Sequence, residues 1–163
     1  MKVLGIDPGI GRCGWGVVDI QNSKLTPIAF GCIETSSKKE APIRLEEVYS
    51  QVDEIIKKYN PDEFSIEDLF FGNNAKTALI VGQARGVILL SAVQNNKSIG
   101  IYTPLQVKVA LTGYGKAEKS QVGKMVKAIL NLKEIPKPDD TADALAVAIT
   151  HCFSRKSNKL RML

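Results

Sequence analysis

The chain has 163 residues, 44% hydrophobic and 24% charged, with a net charge of +5 at pH 7. This is the balance of a soluble globular protein that folds as one domain with a sizeable core. The longest strongly apolar stretch, Val87 to Val93, is far too short to span a bilayer, and three cysteines without a C-x-x-C pair exclude a disulfide framework or a cysteine zinc site.

Lys2–Ile6, Gly14–Ile20 and Leu25–Glu34 read as three strands joined by short links, so a meander is expected. Thr35–Pro42 reads as a polar loop. Arg44–Tyr59 is an amphipathic helix, with Leu45, Val48, Tyr49, Val52, Ile55, Ile56 and Tyr59 at helical spacing, stopped by Asn60-Pro61. Glu63–Glu67 is a fourth strand. Ala75–Gln94 is a helix apolar almost all round, and Ser98–Tyr102 a fifth strand. Thr103-Pro104 has the form of a helix cap and first turn. Pro104–Leu111 is a short helix and Gly113-Tyr114-Gly115 a flexible break. Ala117–Leu132 is a second amphipath, with Val122, Met125, Val126, Ile129 and Leu130 inward and Lys119, Lys124 and Lys127 outward. Pro136-Lys137-Pro138 is a stiff linker, Asp140–Phe153 the last helix, and Ser154–Leu163 a frayed basic tail.

The order βββαβαβααα predicts an α/β fold: a three-strand antiparallel meander leading into parallel strands with helical crossovers. Charge is unevenly spread. Residues 1–81 carry 9 basic and 12 acidic side chains, residues 82–163 carry 13 and 5, and three of those five acids are Asp139, Asp140 and Asp143. A basic surface around an acidic spot fits a polyanionic partner. No basic-then-apolar leader opens the chain, so a cytoplasmic protein with reduced thiols and no membrane partner is expected.

The acids themselves carry the chemistry. Asp7 closes one apolar strand and Glu67 another; Asp140 and Asp143, three apart, share one face of the last helix. Singly, Asp7 serves as a turn residue before Pro8, Glu67 as a solvent-facing strand end, and Asp139 or Asp140 as a helix cap. Jointly, the topology lets them converge. Four converging carboxylates repel one another unless divalent metal lies between them, and that is the chemistry of two-metal phosphodiester hydrolysis. Spacing alone leaves Asp139 and Asp140 as alternatives, with Asp139 assigned to capping. The glycine-rich β-turn-β from Gly5 to Asp19 offers close backbone approach and amides for a phosphate, or else is a bulged hairpin without a ligand. An actin-like or sugar-kinase-like nucleotidase also pairs an Asp with glycines there, but needs a second lobe this chain is too short to hold.

Gly5-Ile6-Asp7-Pro8-Gly9 with Gly14-Trp15-Gly16, Glu67 with Phe70, Ala117-Glu118-Lys119-Ser120-Gln121-Val122, and Asp140-Thr141-Ala142-Asp143-Ala144-Leu145-Ala146 through Thr150-His151 resemble the RuvC family of Holliday junction resolvases, in the RNase H-like superfamily. The resemblance covers nearly the whole chain, residues 1–163 as one nuclease domain on a mixed five-stranded sheet. It implies that Asp7, Glu67, Asp140 and Asp143 are the catalytic metal ligands, favouring Asp140 over Asp139. It also implies Mg²⁺, two ions per subunit with Mn²⁺ able to substitute. Phe70 would probe bases at the crossover, with Phe71 as a second candidate, and Lys108 and Lys119 would act at the DNA. Lys124 and Lys127 read as positional phosphate contacts. Cys13, where many relatives are similar but carry Thr, is a minor departure.

Ala78, Gly82 and Gly86 lie at four-residue spacing on a helix too apolar to be covered by one sheet face, which points to a homodimer, as the resemblance also implies. Further implied partners are four-way junction DNA and the RuvA and RuvB branch-migration proteins. Another RNase H-like nuclease, or a non-cleaving junction-binding module, are the alternatives. His151, two turns beyond Asp143 on a similar face, is expected to be a satisfied structural histidine.

Overall fold

The computed structural model describes residues 1–68 and 75–161. Its elements follow the expected order: β1 (Lys2–Asp7), β2 (Arg12–Gln21), β3 (Lys24–Glu34), α1 (Ala41–Tyr59), β4 (Glu63–Glu67), α2 (Ala75–Gln94), β5 (Ser98–Tyr102), α3 (Pro104–Thr112), α4 (Lys119–Ile129) and α5 (Asp139–Arg161). The five strands form one sheet in the order β3-β2-β1-β4-β5. β1, β2 and β3 pair antiparallel, and β4 joins β1 and β5 in parallel. Pro27 cannot donate to a ladder and sits on the edge strand β3, opposite Val18 where the register shifts.

Strand alternation sends side chains to two cores. Leu4, Ile6, Val17, Phe64 and Ile66 point to one face, under Val48, Val52 and Ile56 of α1 and Ile88 and Ala92 of α2. Val3 and Val18 point to the other, under α5, with α3 and α4 supplying Val107, Leu111, Val122 and Val126. Phe64, Leu4, Ile66 and Leu145 are wholly buried. Each such side chain stabilises the fold by about 1.5–3 kcal/mol relative to exposure. No described helix is long and apolar enough to cross a membrane, and none of the three cysteines is in a disulfide.

Three local expectations change. Helix α1 begins at Ala41, with Pro42 in its first turn, where a missing N–H costs nothing; the polar loop is therefore shorter than 35–42. Helix α5 runs to Arg161, beyond the expected end at Phe153; no glycine or proline interrupts it, and Arg155 lies 2.7 Å from Glu63. The Gly113–Gly115 break is a hydrogen-bonded turn: Gly113 caps α3 at φ +72°, its N–H donating to the Val109 carbonyl, and Tyr114 N–H donates to the Thr112 hydroxyl at 3.1 Å. The Thr103 cap is as expected, with Thr103 and Gln106 closing a reciprocal capping box.

Candidate active site

Asp7 and Glu67 are the last residues of adjacent parallel strands. Ile6 pairs with Ile66, so each acid stands one step beyond the last paired position. β1 is also where the sheet order reverses, and the crevice beyond strand carboxyl ends at such a point is where open α/β sheets bind ligands.

The other two acids arrive on α5, and the sheet is cut away to receive it. A Cβ on Gly5 would lie 2.3 Å from the Ala144 carbonyl oxygen, one on Gly16 2.5 Å from Leu145 Cδ2, and one on Gly14 1.9 Å from the Asp140 carbonyl oxygen. Gly14 is the register partner of Asp7, so the first turn of α5 rests against the strand beside that acid. Gly5, Gly14 and Gly16 thus serve helix packing. Among the described residues Gly113 is the one glycine with positive φ, so nothing in the first hairpin takes the left-handed backbone of a phosphate-cradling nest. Asp139, expected to cap the helix, is its first residue.

Electrostatics report that the four acids share one neighbourhood. The Asp7 carboxyl is pushed up to about 8, first by burial, then by Glu67, Asp143 and Asp140, with Lys119 opposing. Glu67 is raised to about 7 by burial and then Asp143, with Lys119, a hydrogen bond to Asp7 and Lys108 opposing. Asp143 is raised chiefly by burial, against its contact with Lys119, whose Nζ lies 2.7 Å from Asp143 Oδ2. A cleft of ≈ 210 Å³ carries Glu67 and Asp143 on the same walls as Lys108 and Lys119.

The donor set tests what ion would fit. Without a cation the site retains protons on groups that ionise freely in water, so a divalent ion would replace protons. All donors are carboxylate oxygens, ligands that suit hard divalent cations. Burial holds the nearby Cys13 thiol neutral, its pKa raised further by Asp7 and Asp140, so it offers no thiolate. Among the described residues no three acid, histidine or cysteine side chains are already closed around one ion position. The carboxylates are grouped, with Lys119 paired to one of them.

The remaining expected residues separate. Lys124 and Lys127 are exposed on α4; Lys124 is five residues from Lys119, about 140° around the helix, and does not face the acids. Phe70 and Phe71 lie outside the described residues. His151 is structural: its Nδ1 is 3.0 Å from the Tyr102 hydroxyl and its Nε2 2.6 Å from Glu63 Oε2, in space left by Gly100. Sequence reading found neither Glu63 nor Tyr102 as its partners, which are 88 and 49 positions away. It also missed Arg85, whose Nη2 lies 3.2 Å from Asp68 Oδ1 just after Glu67.

A mixed sheet of this order, with carboxylates at two parallel strand ends and on the last helix, has the fold of the RNase H-like nuclease class. Residues 3–151 match the family described as crossover junction endodeoxyribonuclease RuvC. A crossover junction endodeoxyribonuclease RuvC from Caldicellulosiruptor saccharolyticus is 54% identical over 158 residues, covering 96% of this chain and 95% of its own. The Thermus thermophilus RuvC structure superposes with a TM-score of 0.90 at 37% identity, covering 97% of each chain. T. thermophilus RuvC in complex with Holliday junction substrate superposes at 0.88 with 35% identity, covering 96% of each. The chain belongs to the RuvC family.

Proposed function

We propose that this chain is a Holliday junction resolvase, a single nuclease domain that makes paired nicks in four-way DNA junctions during recombination and repair. The observation that carries the reading is the grouping of Asp7, Glu67, Asp140 and Asp143 in a chain that superposes on a relative in complex with Holliday junction substrate. These four side chains would hold two Mg²⁺ ions, with Mn²⁺ as a substitute. Bound there, the ions would supply Lewis-acid polarisation of the scissile phosphate and a lowered pKa for the attacking water, so that it could act as hydroxide.

The chain's own residues do the rest. The buried strand ends hold Asp7 and Glu67 where a cation favours their ionised forms near neutral pH, which couples activity to metal. Lys119, already at the acids, is placed to neutralise charge developing on the phosphoryl oxygens. Lys108, in the same cleft, steadies the neighbouring phosphate, and Lys124 and Lys127 hold the DNA arm by phosphates alone. Phe70, with Phe71 as a second candidate, follows Glu67 in the chain and unstacks bases at the crossover. In-line attack leaves a 5′-phosphate and a 3′-hydroxyl that a ligase can seal.

Two copies nick like strands in paired positions, and the outer face of α2 is the surface for the second copy. Leu79, Leu90 and Val93 are 65%, 50% and 60% exposed there, and a Cβ on Gly86 would meet nothing. Ala84, Ile88 and Ala92 occupy the inner face, so the apolar outer stripe is surplus to packing on the sheet. The enzyme works in the cytoplasm alongside RuvA and RuvB.

The test is cleavage of a four-way junction with a mobile core in Mg²⁺, against linear duplex and RNA–DNA hybrid, with Asp7→Asn alongside. Ligatable paired nicks in the junction alone, lost in Asp7→Asn while binding persists, are expected. Cleavage of the hybrid instead would move the chain to another nuclease activity on the same fold.

A further inference from the structure

The turn between α3 and α4 presents an aromatic ring that the reading above leaves unused. Tyr114 is 58% exposed, yet its backbone is tied on both sides. Its N–H donates to the Thr112 hydroxyl at 3.1 Å, and its carbonyl accepts from Ala117 N–H at 3.1 Å. The Thr112 hydroxyl also lies 2.7 Å from the Lys108 carbonyl, anchoring the turn to α3. A ring on a fixed backbone is pre-organised to meet a partner, because little backbone freedom remains to be lost.

Beside it lies an open cleft of ≈ 510 Å³ lined by Thr103, Pro104, Leu105, Lys108 and Gly115. Leu105 and Val109, one turn apart on α3, are exposed, and Gly115 runs so close that a Cβ there would lie 2.6 Å from Leu105 Cδ1. An apolar floor open to water therefore lies next to the turn that carries Tyr114. Pro104 and Lys108 also line the smaller cleft that holds Glu67, Asp143 and Lys119, so the two surfaces are continuous. The local cations are Lys108, Lys116 and Lys119, with the acid Glu118 at the start of α4, where its N–H donates to Gln121 Oε1 at 2.8 Å.

A nucleobase matches this surface: two flat apolar faces, flanked by phosphates that lysines attract. A protein partner would use the apolar floor but has no need of a cationic path leading to four carboxylates. We propose that Tyr114 stacks on a base of the bound DNA strand, which the Leu105–Val109 floor and the adjoining cleft receive beside the scissile phosphate. This rests on the junction-nuclease reading and adds a base contact on the α3–α4 side of the site.

The test uses the full chain and four-way junctions carrying 5-iodouracil at single positions around the nick, with Tyr114→Ala and Tyr114→Phe. Irradiating the wild type should crosslink one position to residue 114, mapped by mass spectrometry. Tyr114→Ala should lose about tenfold in single-turnover nicking, the scale of one base–aromatic stack, with its unfolding midpoint unchanged, and Tyr114→Phe should keep the rate. In a wild type that nicks the junction, either the absence of a crosslink at 114 or an unaltered rate in Tyr114→Ala overturns the inference and leaves the nuclease reading standing. A wild type that neither binds nor nicks the junction overturns both. The wild-type crosslink does not depend on any variant folding.

Discussion

Gly14 and the Asp140 carbonyl oxygen are in backbone contact: a Cβ on Gly14 would lie 1.9 Å from that oxygen. Strand β2 is bare there, and the first turn of α5 descends far enough for Asp140 and Asp143 to enter the electrostatic neighbourhood of Asp7. Gly14→Ala must push the helix start away. It should cost about 1–3 kcal/mol of stability, as overpacking does, and weaken Mn²⁺ binding measured calorimetrically. Unchanged Mn²⁺ affinity would mean that this contact does not set the height of the acids.

Metal binding should stabilise the fold more at high pH than at low. Asp7 and Glu67 have folded-state values near 8 and 7, both above the ordinary carboxylate range, with burial as the largest cause. Between pH 4 and 8 the folded metal-free protein therefore holds more protons than the unfolded chain. Its stability from these groups is complete below their unfolded values and is lost as pH rises through the folded ones. A divalent ion reverses that loss. The rise in melting temperature on adding Mg²⁺ should grow from pH 5.5 to 8.5, and Asp7→Asn should flatten the trend while raising metal-free stability at pH 8. A metal-induced rise independent of pH would refute the linkage.

Lys119 separates charge chemistry from stability. Its side chain is 59% exposed and pairs with Asp143 at 2.7 Å. An exposed pair contributes under about 1 kcal/mol, so Lys119→Met should barely move the melting temperature. Its nicking rate at saturating metal should fall by about 10²–10³-fold, the scale for removing one charge-stabilising donor. A rate within a few-fold of wild type would remove Lys119 from the reaction.

His151 should behave in the opposite way. It joins α5 to β4 and β5 through Glu63 and Tyr102. His151→Ala leaves both partners short of a hydrogen bond and should cost about 1–3 kcal/mol. Junction cleavage well below the melting temperature, and Mn²⁺ affinity, should be close to wild type. Loss of metal affinity in a folded His151→Ala protein would contradict the structural role.

Leu90 tests the second copy. Half exposed on the outer stripe of α2, it has no structural need to be apolar in a monomer. Leu90→Glu should leave the fold intact and raise the dimer dissociation constant by at least about tenfold, as loss of a buried interface anchor does, read by analytical ultracentrifugation. A wild type that sediments as a monomer at high concentration would end the dimer reading.

Much of the fold was legible along the chain. The short apolar runs of Lys2–Asp7 and Glu63–Glu67, the helical spacing of Arg44–Tyr59, the Asn60-Pro61 stop and the Thr103 cap are local signals, and local backbone preferences acted on them. The acids were legible because a carboxylate closing an apolar strand contradicts that strand's pattern. Helix ends were less so: Pro42 fits a loop as well as a first turn, and nothing in 154–161 marks where packing ends.

By itself, the sequence determined the order of elements, the four carboxylates and the basic second half, since periodicity and side-chain chemistry act within a few residues. Tertiary structure alone decided that Gly5, Gly14 and Gly16 form a seat for α5 and not a phosphate cradle. It also decided that Lys119 meets Asp143, that His151 lies between Glu63 and Tyr102, and that the outer face of α2 stays uncovered. Those facts depend on distances between residues tens of positions apart. Such distances are set when helices settle on the sheet at the height its bare backbone allows.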